Sequence, residues 1–132
     1  MSTRCTVSVK DEQGVHCIYR HHDGYPEGQF GVVATIKKAY PYAWKLPRFE
    51  ADDFAAALVC GWKDQGGGDV RLTKSHTTHG DTEFQYYISQ DKKTGELRLK
   101  ILLPAGGCEK AQVLFYGTLA EAEAKYTNKK RG

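Results

Sequence analysis

Three features of the sequence predict an α+β fold, an antiparallel sheet of two hairpins with two to three helices packed on one face. Two pairs of segments alternate apolar and polar residues, with a turn inside each pair. Two apolar stretches with helical spacing lie between the pairs. A capping signature opens a last helix near the C-terminal end.

Residues 4–10 alternate, with Cys5, Val7 and Val9 on one face and Thr6, Ser8 and Lys10 on the other. Residues 15–21 alternate again through Val15, Cys17 and Tyr19. A three-residue loop of Glu12, Gln13 and Gly14 puts glycine where a left-handed backbone is wanted. That register sets Val9 opposite Cys17 and Val7 opposite Tyr19, with His21 on the core side and His22 outside. Cys5 and Cys17 then share one face with Val7, Val9 and Tyr19, too far apart along the ladder to bridge.

Pro26 suits the first turn of a helix, followed by Phe30, Val33 and Ala34 at helical spacing and Lys37 and Lys38 near its end. Pro41 and Pro47 bracket an irregular aromatic segment over 40–49. A second helix is predicted over 51–63, with Asp52 and Asp53 at its positive end and Phe54, Leu58, Gly61 and Trp62 as its stripe. Residues 66–68, three glycines, end it. Residues 70–73 read as a short strand. Phe84, Tyr86 and Ile88 alternate over 83–90, and Leu97, Leu99, Ile101 and Leu103 over 97–103. A loop over 92–95 sets Ile88 opposite Leu99 and Tyr86 opposite Ile101. Residues 113–116 read as an edge strand. Thr118-Leu119-Ala120-Glu121 has capping-box spacing for a helix of about ten residues.

One domain over residues 1–132 suits the length, with a basic tail at 127–132 expected to fray. Apolar residues at 40% and charged residues at 27% exclude a disordered chain. The net charge is +3, and Lys129, Lys130 and Arg131 carry that much alone, so the body is nearly neutral. That weighs against a general nucleic-acid binder with a strong basic face. No apolar run approaches the roughly 20 residues of a membrane helix. The four cysteines form no Cys-x-x-Cys pair. The expectation is a cytoplasmic protein with reduced thiols, in a bacterial host cell, without a membrane partner.

Chemistry-bearing residues gather in two stretches. The first is Arg20-His21-His22-Asp23-Gly24-Tyr25-Pro26-Glu27-Gly28, and the second is His76-Thr77-Thr78-His79-Gly80-Asp81. If both meet at one sheet edge, His22, Asp23, His79 and Asp81, with His21 and His76 nearby, could hold a metal that activates water against a phosphodiester. His21 and His22 point to opposite faces if the strand continues, which weighs against this. Metal-free histidine chemistry would want paired His-x-Thr motifs, and His76-Thr77-Thr78 supplies one copy only. The third reading is binding without catalysis. Arg20, His22, Tyr25 and the amides of a helix start at Gly28 would cradle an anion such as a nucleotide phosphate, and Asp23, His76 and His79 join them as ligand- or partner-binding candidates. Tyr42 and Trp44 would anchor a partner. A structural reading competes for the first stretch, since Asp23-Gly24 and Pro26 are ordinary turn and helix-start residues. The glycines at 66–68 lack a following Gly-Lys-Ser/Thr, and no cofactor is expected.

The opening Ser2-Thr3-Arg4-Cys5, the block from Ile18 through Tyr19-Arg20-His21-His22-Asp23-Gly24-Tyr25-Pro26 to Gly28, and His79-Gly80-Asp81-Thr82-Glu83-Phe84-Gln85-Tyr86 resemble a family of small proteins of bacteriophages, bacteria and large DNA viruses. The resemblance covers residues 1–103; the insert at 40–49 and the C-terminal part depart from it. It implies no catalytic residue. Its phage distribution implies an accessory inhibitor of a bacterial defence system, of the anti-CRISPR kind, that binds a host defence complex or a nucleotide or nucleic-acid ligand. The alternative is the metal-dependent phosphodiesterase or nuclease described above.

Overall fold

The computed structural model describes residues 3–43, 49–64, 69–75, 82–104 and 111–126. Among them the order is β1 (Cys5–Asp11), β2 (Gly14–Arg20), α1 (Val32–Ala43), α2 (Ala51–Asp64), β3 (Val70–Thr73), β4 (Phe84–Gln90), β5 (Leu97–Leu103), β6 (Gln112–Thr118) and α3 (Leu119–Tyr126). The strands form one sheet in the order β3-β2-β1-β4-β5-β6. The α+β class stands. The sheet is mixed, not antiparallel, because β4 lies parallel to β1, with Cys5 opposite Phe84 and Val9 opposite Ile88. Both hairpins exist. Their union in parallel has no signature in either hairpin, since alternation reads a strand's faces and not its neighbour's direction.

The β4–β5 register is as the alternation requires, with Ile88 opposite Leu99 and Tyr86 opposite Ile101. The β1–β2 register is shifted. Val7 pairs with Ile18, Val9 with His16 and Ser8 with Cys17. The turn is two residues, Glu12 and Gln13, and Asp11 tightens it by accepting the Gln13 and Gly14 amides at 2.8 and 3.1 Å. One residue of slip exchanges the faces of β2. Cys17 and Tyr19 therefore lie on the side away from the helices, and Cys5 with Val7 and Val9 on the helix side. Both cysteines are free thiols, as expected, but on opposite faces.

The helix side is the core. Val7, Ile18, Tyr86, Ile88, Leu99 and Ile101 meet Val32, Val33 and Ile36 of α1, Phe54, Leu58 and Trp62 of α2 and Ala122 of α3. The α2 stripe is as predicted. The α1 stripe is not, because the helix starts at Val32, leaving Pro26 outside it and Phe30 exposed. The chain stays helical through Pro41, so that proline does not open an irregular segment. Near a helix end its missing N–H costs a single bond, and the ring is exposed. Residues 44–48 of the predicted 40–49 segment and the tail at 127–132 lie outside the described residues. α3 has the predicted box: Thr118 N–H donates to Glu121 Oε1 at 2.9 Å and Glu121 N–H to Thr118 Oγ1 at 3.2 Å.

On the side away from the helices, Thr6, Ser8, Cys17 and Tyr19 are also buried. The exposed residues on that face are Lys10, Val15 and Arg71 toward one edge and Lys100, Val113 and Tyr116 toward the other, among the described residues.

Candidate functional site

The 20–31 stretch is built as a plug at one end of the sheet. Gly24 N–H donates to Thr3 O at 2.8 Å, and the buried Tyr86 hydroxyl donates to Gly24 O at 2.6 Å. A Cβ on Gly24 would stand 2.7 Å from Thr3 O and 2.8 Å from Cys5 Cβ, so the approach admits only glycine. Asp23 turns the chain at φ 57° and Gly28 at φ 84°. Gly28 is a left-handed turn residue, not a helix start. Its N–H reaches Tyr126 O, Gly31 N–H reaches Gly28 O and Val32 N–H reaches Tyr25 O. The Gly28 amide expected to cradle an anion is thus engaged within the fold, as are those of Gly31 and Val32.

The side chains are similarly committed. Arg20, expected to face a ligand, is 3% exposed. Its guanidinium carbon lies 5.0 Å from the Trp62 ring centroid, Nη1 donates to Phe30 O at 3.4 Å, and Nη2 lies 3.8 Å from Asp23 Oδ2. Burial lowers its pKa, opposed by the nearby Cys5 and Asp23. Asp23 accepts the Tyr25 hydroxyl at 3.0 Å. His21 is half-buried and not a core residue; its Nδ1 lies 2.8 Å from the Tyr19 hydroxyl and 3.3 Å from Arg4 Nε. Arginine only donates, so that nitrogen is an acceptor and the ring's proton sits on Nε2. His22 is exposed and meets His21 edge-on at 4.7 Å between ring centroids. His76, His79 and Asp81 lie outside the described residues, as do Trp44 and the Tyr42 side chain. Among the described residues no three His, Cys, Asp or Glu stand together as a metal would need.

The structure brings together a second group that sequence reasoning passed over. Register places Tyr87 opposite Lys100 and Lys100 opposite Tyr116, a row across β4, β5 and β6 on the helix-free face. Gln85, Leu102 and Val113 make the row on one side, and Ser89, Arg98 and Thr118 the row on the other. Tyr116 is 67% exposed and Val113 56%. Lys100 Nζ lies 5.7 Å from the Tyr87 ring centroid, and the Tyr87 hydroxyl donates to Gln85 Oε1 at 3.1 Å. A groove of about 440 Å³ runs along these side chains. None of the three strands contains an Asp or Glu. Carboxylates stand around its margin: Asp91 accepts Arg98 Nε at 3.0 Å, Glu121 caps Thr118, and the exposed Glu83 and Glu96 directly precede β4 and β5. Lys100 is the cation without a carboxylate beside it in this set. The signal was in the sequence, in the residues between the core positions of each alternating run.

A larger cleft of about 750 Å³ opens where both hairpins turn. It mixes Lys10 and Lys92 with Asp11, Glu12, Glu50 and Asp52. Asp11 there is consumed by the fold: its Oδ2 accepts the Ala51 N–H at 2.9 Å, and that bond, with those from Gln13 and Gly14, holds its pKa below the usual carboxylate range. The tyrosine row differs from this cleft in that Lys100, Val113 and Tyr116 stand exposed on one sheet face. Set against known proteins, the chain matches no family model, no curated protein and no solved structure.

Proposed function

We propose that the chain acts by binding, as a phage-type accessory protein that inhibits a bacterial defence system of the anti-CRISPR kind, and that the helix-free face of β4–β6 is its binding surface. The observation that carries binding is the row of half-buried Tyr87, exposed Lys100 and exposed Tyr116 across three strands that lack carboxylates. Tyrosine gives large contact area at low conformational cost and is among the residue types that dominate interface energies. The accessory role is supported by the resemblance of the Tyr19–Gly28 block to proteins spread across phages.

The test is phage plating on bacterial strains that each carry one active CRISPR type. Expression of the chain is expected to raise plating of a targeted phage on one strain. The Tyr116→Ala/Lys100→Ala protein, at equal abundance, should not. Unchanged plating on every strain would end the defence reading. Equal plating with the double variant would move the surface elsewhere.

A further inference from the structure

We infer that β3 is a docking edge for a second copy of this chain, the two β3 strands pairing antiparallel about a two-fold axis at Leu72. β3 ends the sheet on the side opposite β6, so the inference is independent of the surface proposed above. His21 N–H donates to Asp69 O at 3.0 Å, one residue beyond the Arg20–Val70 pair. Bonded and non-bonded pairs alternate along an antiparallel ladder. Tyr19–Arg71 and Cys17–Thr73 are therefore bonded pairs, and Val70 and Leu72 turn their N–H and C=O groups away from β2. Among the described residues no hydrogen bond engages those outward groups. Leu72, between them and solvent, is 77% exposed. Backbone donors and acceptors repeating at every second residue are matched by another extended backbone, so the occupant is a polypeptide strand.

Symmetry selects the second copy. Centred on Leu72, the pair exchanges both backbone bonds between Leu72 and the partner's Leu72 and lays the two exposed side chains together on one face. The same register sets Arg71 opposite the partner's Thr73, whereas centring on Arg71 would oppose two guanidinium groups. The helices leave room. α2 packs chiefly over β1 and β2, and the two β2 strands would lie three strand spacings apart, about 14 Å, against the roughly 8–10 Å of helices in contact. The other edge of the sheet is guarded. Lys125 Nζ donates to Leu114 O at 3.0 Å, Glu121 accepts the Thr118 N–H at 2.9 Å, and the β5–β6 ladder is irregular between Ile101 and Leu102. Such devices blunt an edge against further strands. With one edge open and the other blunted, addition stops at two chains and gives a closed pair, not a filament. A strand of an unrelated protein is the competing occupant, but the complement of β3 is already present in β3 itself. Two four-residue edges bury less than the roughly 1,200 Å² of a standard interface, so the pair is a weak one.

Sedimentation equilibrium of the full chain, loaded from about 10 µM to about 1 mM, spans the affinities of such a pair. The mean mass is expected to rise with concentration from one chain toward two and no further. Leu72→Pro removes an N–H that faces solvent in the single chain, so it should keep the parent's circular dichroism and melting temperature and stay at one chain throughout. Arg71→Pro removes an N–H bonded to β2 and should lower the melting temperature, which checks the assignment of the outward groups. Should Leu72→Pro fail to fold, Leu72→Glu, which sets like charges at the two-fold axis, is expected to remain at one chain. A mass of one chain up to about 1 mM overturns the inference. So does a dimer that both Leu72 variants leave intact, which would put the contact elsewhere, and so does a mass that grows past two chains, which would mean that the β6 edge is not blunted.

Discussion

Arg20 is a cation held almost out of solvent, and its partners are few: a ring face, one long hydrogen bond and a carboxylate at 3.8 Å. Much of its value to the fold should then come from its hydrocarbon stem and flat head packed on Trp62 rather than from its charge. Arg20→Ala is expected to destabilise the protein by about 2–4 kcal/mol through the void left over Trp62, whereas Arg20→Met, which refills most of that volume without a desolvated charge, should cost less than about 1.5 kcal/mol. Urea denaturation of the two variants checks this; equal losses would mean the charge itself holds the loop. Cys5 makes a second residue-scale test. Complete burial pushes its thiol from 9.0 up to about 12. Below pH 9 the thiol is protonated in both states and contributes no pH dependence. Above it the unfolded thiol ionises while the folded one does not, so stability falls as pH rises from about 9 to 12, with a limiting slope of about 1.4 kcal/mol per pH unit. Denaturation midpoints at pH 8, 9 and 10.5 should fall less steeply in Cys5→Ala than in the parent. Parallel slopes would show that the thiol does not carry the effect.

Elements differ in how plainly they are written in the chain. α3 is announced by its own first four residues, because Thr118 and Glu121 satisfy each other's amides through side chains adjacent in sequence. Thr118→Ala should cost about 1 kcal/mol and reduce hydrogen-exchange protection chiefly at the start of α3; protection lost evenly across the sheet would contradict a local cap. The second hairpin was legible because its core phase is purely apolar, from Phe84 to Ile88 and from Leu97 to Leu103. The first was misread by one residue because its true core phase ends in Arg20. Alternation scores an arginine as solvent-facing, and the slip that buries Cys17 and Tyr19 looked better until Trp62, more than forty positions away, supplied a ring for the guanidinium. The conspicuous 20–28 block was located correctly and its role misjudged: glycine, proline and aspartate there shape a plug, with Gly24 pressed against Thr3 and Tyr86. The tyrosine row went unseen because it exists only across three strands. Tyr87, Lys100 and Tyr116 are each an unremarkable polar-phase residue until register sets them side by side.

At the scale of the molecule the asymmetry of the sheet matters most. The helices pack on one side. On the other, Thr6, Ser8, Cys17 and Tyr19 of β1 and β2 are buried, while Lys100, Val113 and Tyr116 of β5 and β6 are exposed. The parallel seam between β1 and β4 has a different consequence, in time. Each hairpin closes over a few residues, but Cys5 must wait for Phe84, about 80 residues later in synthesis, which at roughly 5–20 residues per second is about 4–16 s. Through that interval the future centre of the sheet is an edge, with the backbone of Thr6, Val7 and Ser8 still lacking its second neighbour. The nascent chain is most exposed to wrong pairing there, and the arrival of the second hairpin closes the edge.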